Sequence, residues 1–310
     1  MKKVLVIGAN GYLGSRLSFT LAAKGYQVVA LVDRRFPCDS VTDIPNILVQ
    51  EFMMEELESL EGSPIFDDVD TIYHFAWAGV NAKLRNESEI QVQNVMFGLK
   101  VMEFAERHHI KRVIVPGSAA EMSCGDGIVT GKEIPAPSDM YSAAKVATRY
   151  ICQTYARRHK IELIWALITS IYGPGRNDNN LITYVIQTLL KGEKPSTTGL
   201  EQKWDYLYVD DLIRALVLLG EKGIGGKVYP VGSGEHKQMR KYVEMIRNII
   251  NPLLPLGIGE IPYKNPDKID NQVFDVSELK KDTGFEAEFD FEKGIEKTIN
   301  YYKLFHKNDT

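Results

Sequence analysis

The chain reads as an α/β protein built on a doubly wound parallel sheet, and three observations predict it. Short runs rich in Val and Ile recur at 4–7, 28–32, 47–49, 71–75, 113–115 and 163–167, each only a strand long. Helix-patterned stretches at 13–24, 87–108 and 139–159 alternate with them. The turn after the first run is rich in glycine: Gly8-Ala9-Asn10-Gly11-Tyr12-Leu13-Gly14. Continuous apolar runs suit strands covered on both faces, as in parallel sheets. Regular strand–helix alternation is what βαβ units look like in sequence.

After Gly173 the regularity breaks. Pro174-Gly175, Asn177-Asp178-Asn179-Asn180 and Pro195-Ser196 punctuate shorter elements. A strand is predicted at 206–209, a helix at 210–219 and a further strand at 228–231. The chain therefore divides into a sheet-forming portion, 1–172, and a smaller mixed α/β portion, 173–310. The second reads as mainly substrate-binding, with some segments returning to the first sheet.

Composition narrows the classes of function. A chain of 310 residues, 44% hydrophobic and 25% charged, suits a globular protein with one large core or a big domain and a smaller partner. A net charge of −4 gives no basic field for nucleic acid. Cys38, Cys124 and Cys152 make an odd set without CxxC spacing, which argues against a disulfide framework or a metal site and fits a reducing cytosol. Met1-Lys2-Lys3 precedes an apolar run that Gly8 ends after a strand's length, unlike a signal peptide. No stretch approaches the ~20 apolar residues of a membrane span. A cytoplasmic protein is expected.

The glycine loop lies between the first strand and the first helix, the context a dinucleotide cradle requires. Gly8 permits a tight turn, Gly11 lets backbone approach a pyrophosphate, and Gly14 lets helix pack on strand. The helix N-terminus offers free N–H groups to phosphate. Residues 1–172 thus read as a Rossmann domain, with Gly8, Asn10, Gly11, Tyr12, Leu13 and Gly14 at the cofactor. A glycine-rich turn without a ligand is the bland alternative. At the end of the second strand stands Val32-Asp33-Arg34-Arg35. Asp33 suits the adenosine ribose of NAD(H), whereas Arg34 or Arg35 suits the 2′-phosphate of NADP(H). Two arginines also make an ordinary solvated loop. The reading favours NADP(H) over NAD(H).

Tyr141 and Lys145 stand i, i+4 and share a helix face. Pro137-Ser138-Asp139 reads as the helix start, placing Tyr141 in the first turn. A phenol of pKa about 10 is a poor base at neutral pH. A nearby ammonium and an oxidised nicotinamide are expected to lower it. In reduction Tyr141 donates its proton to a carbonyl oxygen. Lys145 also holds the nicotinamide ribose, and Ser118, after the fifth strand, orients the substrate oxygen. The bland reading of Tyr-x-x-x-Lys is a polar helix face. No metal ligand set is read.

With these residues in view, the chain resembles an extended short-chain dehydrogenase/reductase of the NAD-dependent epimerase/dehydratase family acting on nucleotide sugars. The resemblance runs through the glycine loop, His74-Phe75-Ala76, Asn94, Ser118, Tyr141/Lys145, Tyr172-Gly173-Pro174 and Tyr208-Val209-Asp210-Asp211. It continues in Asp275, Gly284-Phe285 and Gly294. It implies cofactor contacts at Ala76 and Asn94, and a homodimer through the two long helices. Dehydratases of the family carry Asp-Glu just after the serine position. Here those places hold Ala119 and Ala120, which can neither protonate a leaving hydroxyl nor remove a proton. Glu121, one place on, is expected to point elsewhere.

Two reactions remain: 4-keto reduction, or 4-epimerisation through a transient ketone. Many epimerases place an arginine where this chain has Trp204, and many relatives an asparagine where it has Ser170. Tryptophan can stack on a base or fill core. The resemblance implies substrate contacts at Trp77, Ser118, Ala119, Tyr141, Ser170, Arg176 and Trp204, with Lys203 and Arg214 as further cations. Trp77 and Tyr73 could line a pocket or simply pack. His74 reads as structural, His108-His109 as a helix end, and Cys124 has no redox role. The sequence therefore predicts an NADPH-dependent reductase of a CDP- or dTDP-linked 4-keto-6-deoxyhexose in deoxysugar biosynthesis. The alternative is a nucleotide-sugar 4-epimerase with firmly held NAD. A non-catalytic dinucleotide sensor has no need of Ser118, Tyr141 and Lys145 together. No nucleic-acid or membrane partner is expected.

Overall fold

The Val and Ile runs form strands because both of their faces are covered. Every side chain from Val4 to Ile7 and from Val29 to Val32 is fully buried. The computed structural model describes residues 1–81, 83–122, 127–176, 180–263 and 271–306. Cys124, Asn177, Asp178 and Asn179, named above, lie outside them. In chain order the elements are β1 (Lys3–Ile7), α1 (Tyr12–Ala23), β2 (Gln27–Asp33), β3 (Ile47–Phe52), β4 (Thr71–His74), α2 (Ser88–Arg107), β5 (Arg112–Ser118), α3 (Met140–His159), β6 (Glu162–Ile168) and β7 (Ser170–Tyr172). There follow α4 (Leu181–Leu190), β8 (Ser196–Thr197), β9 (Lys203–Trp204), β10 (Tyr206–Tyr208), α5 (Val209–Lys222) and β11 (Val228–Val231). The last are β12 (Lys237–Gln238), α6 (Met239–Ile250), β13 (Gly257–Ile258), α7 (Ser277–Thr283) and α8 (Phe291–His306). Short 3₁₀ turns occupy Met54–Leu60, Pro64–Phe66 and Ala119–Glu121.

Among the described residues the main sheet has seven strands in the order β11-β6-β5-β4-β1-β2-β3, all pairs parallel. The doubly wound sheet that the sequence predicts is present. The order reverses between β1 and β4, and at such a switch point the crevice at the strands' carboxyl ends receives ligands. One face packs Leu17 and Leu21 of α1 with Leu212 and Leu216 of α5. The other packs Phe97, Val101 and Phe104 of α2 with Cys152 and Ala156 of α3. Tyr73 lies in this core, fully buried, its hydroxyl donating to Leu216 O at 3.2 Å, so it packs and lines no pocket.

From β7 onward the described residues make three two-stranded sheets, β10-β7, β12-β9 and β13-β8. These and helices α4, α6 and α8 surround a separate apolar cluster with Tyr172, Tyr206, Tyr242 and Phe291 near its centre. β11 leaves this region to pair with β6 in the main sheet. Among the described residues no helix is long and apolar enough to cross a membrane.

Candidate active site

The glycine loop is closed by backbone at both ends. Gly8 has φ +84°, and a Cβ there would stand 2.7 Å from Ala76 N. A Cβ on Gly14 would stand 2.2 Å from Gly8 O. The loop can therefore press against the start of α1 and the chain after β4 only with hydrogen at both positions. Gly11 is the N-cap of α1 and brings no side-chain cap, so the first N–H groups of that helix remain for an anion. Asn10 turns the other way: its amide donates to Asp33 O at 3.0 Å and accepts from Asp33 N at 3.2 Å, clamping the end of β2. Tyr12 ties α1 to the turn after β7 through Pro174 O at 3.2 Å. Burial pushes its phenol up to about 12. Leu13 is half-buried against two apolar clusters.

At the tip of β2, Arg35 grips Asp33, with Nε 2.9 Å from Oδ1 and Nη2 2.5 Å from Oδ2. Those bonds hold the Asp33 carboxyl below its ordinary range. Arg34 pairs with Glu56 in the first 3₁₀ turn. Both guanidinium groups thus have a carboxylate of their own.

Asp139 starts α3 with a capping box, accepting Ser142 N at 2.8 Å, so Tyr141 falls in the first turn and Lys145 one turn on. Ser118 ends β5, its Oγ accepts the Ala120 N–H at 3.2 Å, and its side chain lies beside the Tyr141 phenol. Arg85 pairs with Asp139 and lays its guanidinium 4.2 Å from the centre of the Tyr141 ring. Lys145 is 6% exposed; its Nζ donates to Pro116 O at 3.0 Å and stands 3.7 Å from the centre of the Trp77 ring. Burial draws the Lys145 ammonium down to about 7, against the pull of Glu121. Burial also raises the Tyr141 phenol, opposed by the nearby Ser118 side chain and the Arg85 charge. The sequence led us to expect a lowered phenol. In the protein alone desolvation outweighs the cations, and the nearest cation to the ring is Arg85 rather than Lys145.

The loop after β4 is fastened from α2. Trp77 Nε1 donates to Gln91 at 3.1 Å, and the Asn94 amide brackets Ala78, with N and O each at 2.9 Å. Asn94 thus positions the loop that carries Ala76 and Trp77. Trp77 meets Tyr141 edge to face, ring centres 5.9 Å apart. His74, 3% exposed, sits at the end of β4 with neither ring nitrogen hydrogen-bonded. Burial and Lys145 hold its imidazole down to about 3, so it is neutral.

Other expected contacts go elsewhere. Ala119 is 7% exposed and packs with Met122, Val129, Leu167 and Phe274, turning its methyl into core. Ser170 and Trp204 find each other, Nε1 to Oγ at 2.9 Å, which joins β7 to β9. Arg176 bonds Ile171 O, and Tyr302 bonds Arg176 O. Arg214 reaches Asp211 at 2.5 Å and Glu288 at 3.0 Å, a structural cation. Lys203 is exposed in β9. Arg85, Gln91, Arg149 and Asp205 were not read from the sequence. Their partners lie in distant segments, and nothing in the local pattern marks them.

The parallel sheet, the glycine cradle and the gathered Ser118, Tyr141 and Lys145 define an NAD-dependent enzyme of the extended short-chain dehydrogenase/reductase type. The chain belongs to the NAD dependent epimerase/dehydratase family, whose model matches residues 4–232. CDP-abequose synthase of Salmonella muenchen is 24% identical over 307 residues, covering 96% of this chain and 97% of that protein. The dTDP-glucose 4,6-dehydratase of Bacillus anthracis, solved with NAD, superposes with a TM-score of 0.85 at 21% identity, over 99% and 98% of the two chains. UDP-glucuronic acid 4-epimerase of Bacillus cereus, also solved with NAD, gives 0.84 at 20% identity over 98% and 99%. These likenesses show the fold.

The expectation of NADP(H) is corrected. The family is NAD dependent, and these solved neighbours hold NAD. The arginines that suggested a 2′-phosphate are neutralised by Asp33 and Glu56. The glycine loop that leaves no room for a Cβ at Gly8 or Gly14, the uncapped N-terminus of α1 and the carboxylate at the tip of β2 fit NAD.

Proposed function

We propose that the protein catalyses NAD(H)-dependent oxidoreduction at C4 of a nucleotide-linked hexose, in net terms the reduction of a CDP- or dTDP-4-keto-6-deoxyhexose. Gly8, Gly11 and Gly14 cradle the pyrophosphate, Asp33 meets the adenosine ribose and Lys145 the nicotinamide ribose. When bound, the nicotinamide supplies or accepts the hydride. Ser118 hydrogen-bonds the substrate oxygen, and Tyr141 delivers a proton to it. A phenol raised by burial retains its proton at neutral pH, which suits the donor's part.

One observation carries the choice of reaction: Ser118 stands at the phenol while Ala119 is packed in core and Glu121 is fully buried beneath it. Neither neighbour can work as acid or base on the sugar, so dehydration lacks its groups. The likeness to CDP-abequose synthase over nearly the whole of both chains supports a part in deoxysugar synthesis. A second reading, 4-epimerisation with retained NAD, gains from the corrected cofactor, since an enzyme that recycles its hydride within one turnover keeps NAD. We further propose that residues 173–310 hold most of the sugar nucleotide, with Ser170, Arg176 and Trp204 on that side. A homodimer is proposed through α2 and α3, whose exposed Val92, Met96, Tyr150 and Ile151 lack cover in the monomer.

A panel of CDP-, dTDP-, GDP- and UDP-linked 4-keto sugars, assayed with NADH, tests the reaction. Consumption of NADH only with a keto sugar supports the reductase. Protein purified with NAD that interconverts UDP-hexoses without added cofactor supports the epimerase.

A further inference from the structure

A second layer of charge lies directly behind the Ser118, Tyr141 and Lys145 group. Glu121, in the 3₁₀ turn after β5, is 0% exposed. Its Oε1 accepts the Ser118 backbone N–H at 2.9 Å and the Trp165 indole N–H at 3.1 Å. Its Oε2 faces buried Arg149 Nη1 at 3.6 Å, and neither atom makes a hydrogen bond. Room for this arrangement comes from Gly117, where a Cβ would stand 2.2 Å from Trp165 Nε1 and 2.7 Å from Glu121 Oε1. Packing alone would be served better by apolar side chains, because enclosed charges lose their hydration.

We propose that Glu121 is a positioning residue: it fixes Ser118 through its backbone and supplies the counter-charge that keeps the Lys145 ammonium beneath Tyr141. The inference rests on reading Tyr141 and Lys145 as the proton-handling pair. The groups around that pair are the Pro116 carbonyl of β5, neutral His74 of β4 and the Trp77 ring. Arg149 stands one turn further along α3, and Arg85 and Asp139 act on the phenol. Asp139 is tied to Arg85 at the helix start, which leaves Glu121, among the described residues, as the carboxylate that offsets Lys145. Burial raises the Glu121 carboxyl, while Arg149, the Ser118 N–H, Lys145 and Trp165 pull it back. On its far side the carboxylate is paired with the Arg149 guanidinium, Nη1 to Oε2 at 3.6 Å.

Glu121→Gln keeps the shape and removes the charge. Lys145 then loses its proton at lower pH. The alkaline limb of kcat/KM, and the pH above which NAD ceases to raise the melting temperature, both move acidward by about 1 unit or more. Limbs that coincide with those of the unaltered enzyme overturn the proposal. Should Glu121→Gln lack a cooperative melting transition, Glu121→Asp decides. That variant keeps the charge but withdraws it from Ser118, so kcat falls while the alkaline limb stays. A shifted limb with unchanged kcat overturns the proposal. Tyr141→Phe, measured alongside, separates the two layers. Full activity there overturns the proton-donor reading and this inference with it, whereas an inactive Tyr141→Phe beside an unmoved Glu121→Gln limb overturns the Glu121 assignment alone.

Discussion

Buried charge is arranged on opposite plans in the two halves of the molecule. In the C-terminal half, fully buried Asp211 accepts Glu288 N and Phe289 N at 2.9 Å each and takes Arg214 at 2.5 Å. Asp205 accepts the Ser233 N–H at 2.9 Å, its hydroxyl at 2.8 Å and the Gly234 N–H at 3.2 Å. Burial pushes the Asp205 carboxyl up to about 6 against those donors, so it is ionised at neutral pH. Such carboxylates act as staples between chain segments. Around Lys145 the plan is reversed: Glu121 Oε2, Arg149 Nη1 and both His74 nitrogens lack a hydrogen-bond partner. The saturated sites hold one geometry. The unsaturated cluster lies where proton transfer is proposed.

The sharpest way to break this contrast is Tyr141→Phe. It lowers kcat by about 10²–10⁴-fold with a melting temperature near that of the parent, measured by initial rates and calorimetry. Asp211→Ala works in the opposite sense. It leaves two backbone N–H groups and Arg214 without their acceptor and costs about 2–4 kcal/mol of stability in urea titration, with NAD affinity retained.

His74 gives a smaller effect with a definite sign. Burial and Lys145 hold its folded imidazole down to about 3, below the ordinary 6.5, so the unfolded chain binds the proton first. Stability present above pH 6.5 is therefore lost as pH falls toward 3, by up to about 1.4 kcal/mol per unit. His74→Leu removes that share of the acid slope, and equal slopes in the two proteins would deny it. Trp204→Phe is the mildest change. It deletes the bond to Ser170, costs about 1 kcal/mol and moves KM for the sugar nucleotide rather than kcat.

Much of the scaffold and part of the site were legible in the residues. The Val and Ile runs at 4–7 and 28–32 fall inside β1 and β2, and the pattern at 139–159 is α3 with Asp139 as its cap. These depend on spacing within a few positions. Arg34 and Arg35 were misread because Glu56, which takes one of them, comes from a separate turn. Glu121 was expected to point away from the substrate, and the structure buries it completely. Its inward course toward Trp165 and Arg149 could not be read, since those partners come from β6 and α3.

By itself the sequence determined where strands, helices and the glycine turn fall, and that Tyr141 and Lys145 share a helix face. Those properties follow from side-chain periodicity and backbone freedom, which act between near neighbours. Only the tertiary structure decided which charges meet: Arg35 on Asp33, Arg85 over Tyr141, and Glu121 against Arg149. The energy of an ion depends on the solvent it loses and the partners that replace it, and both are set by segments far apart in the chain.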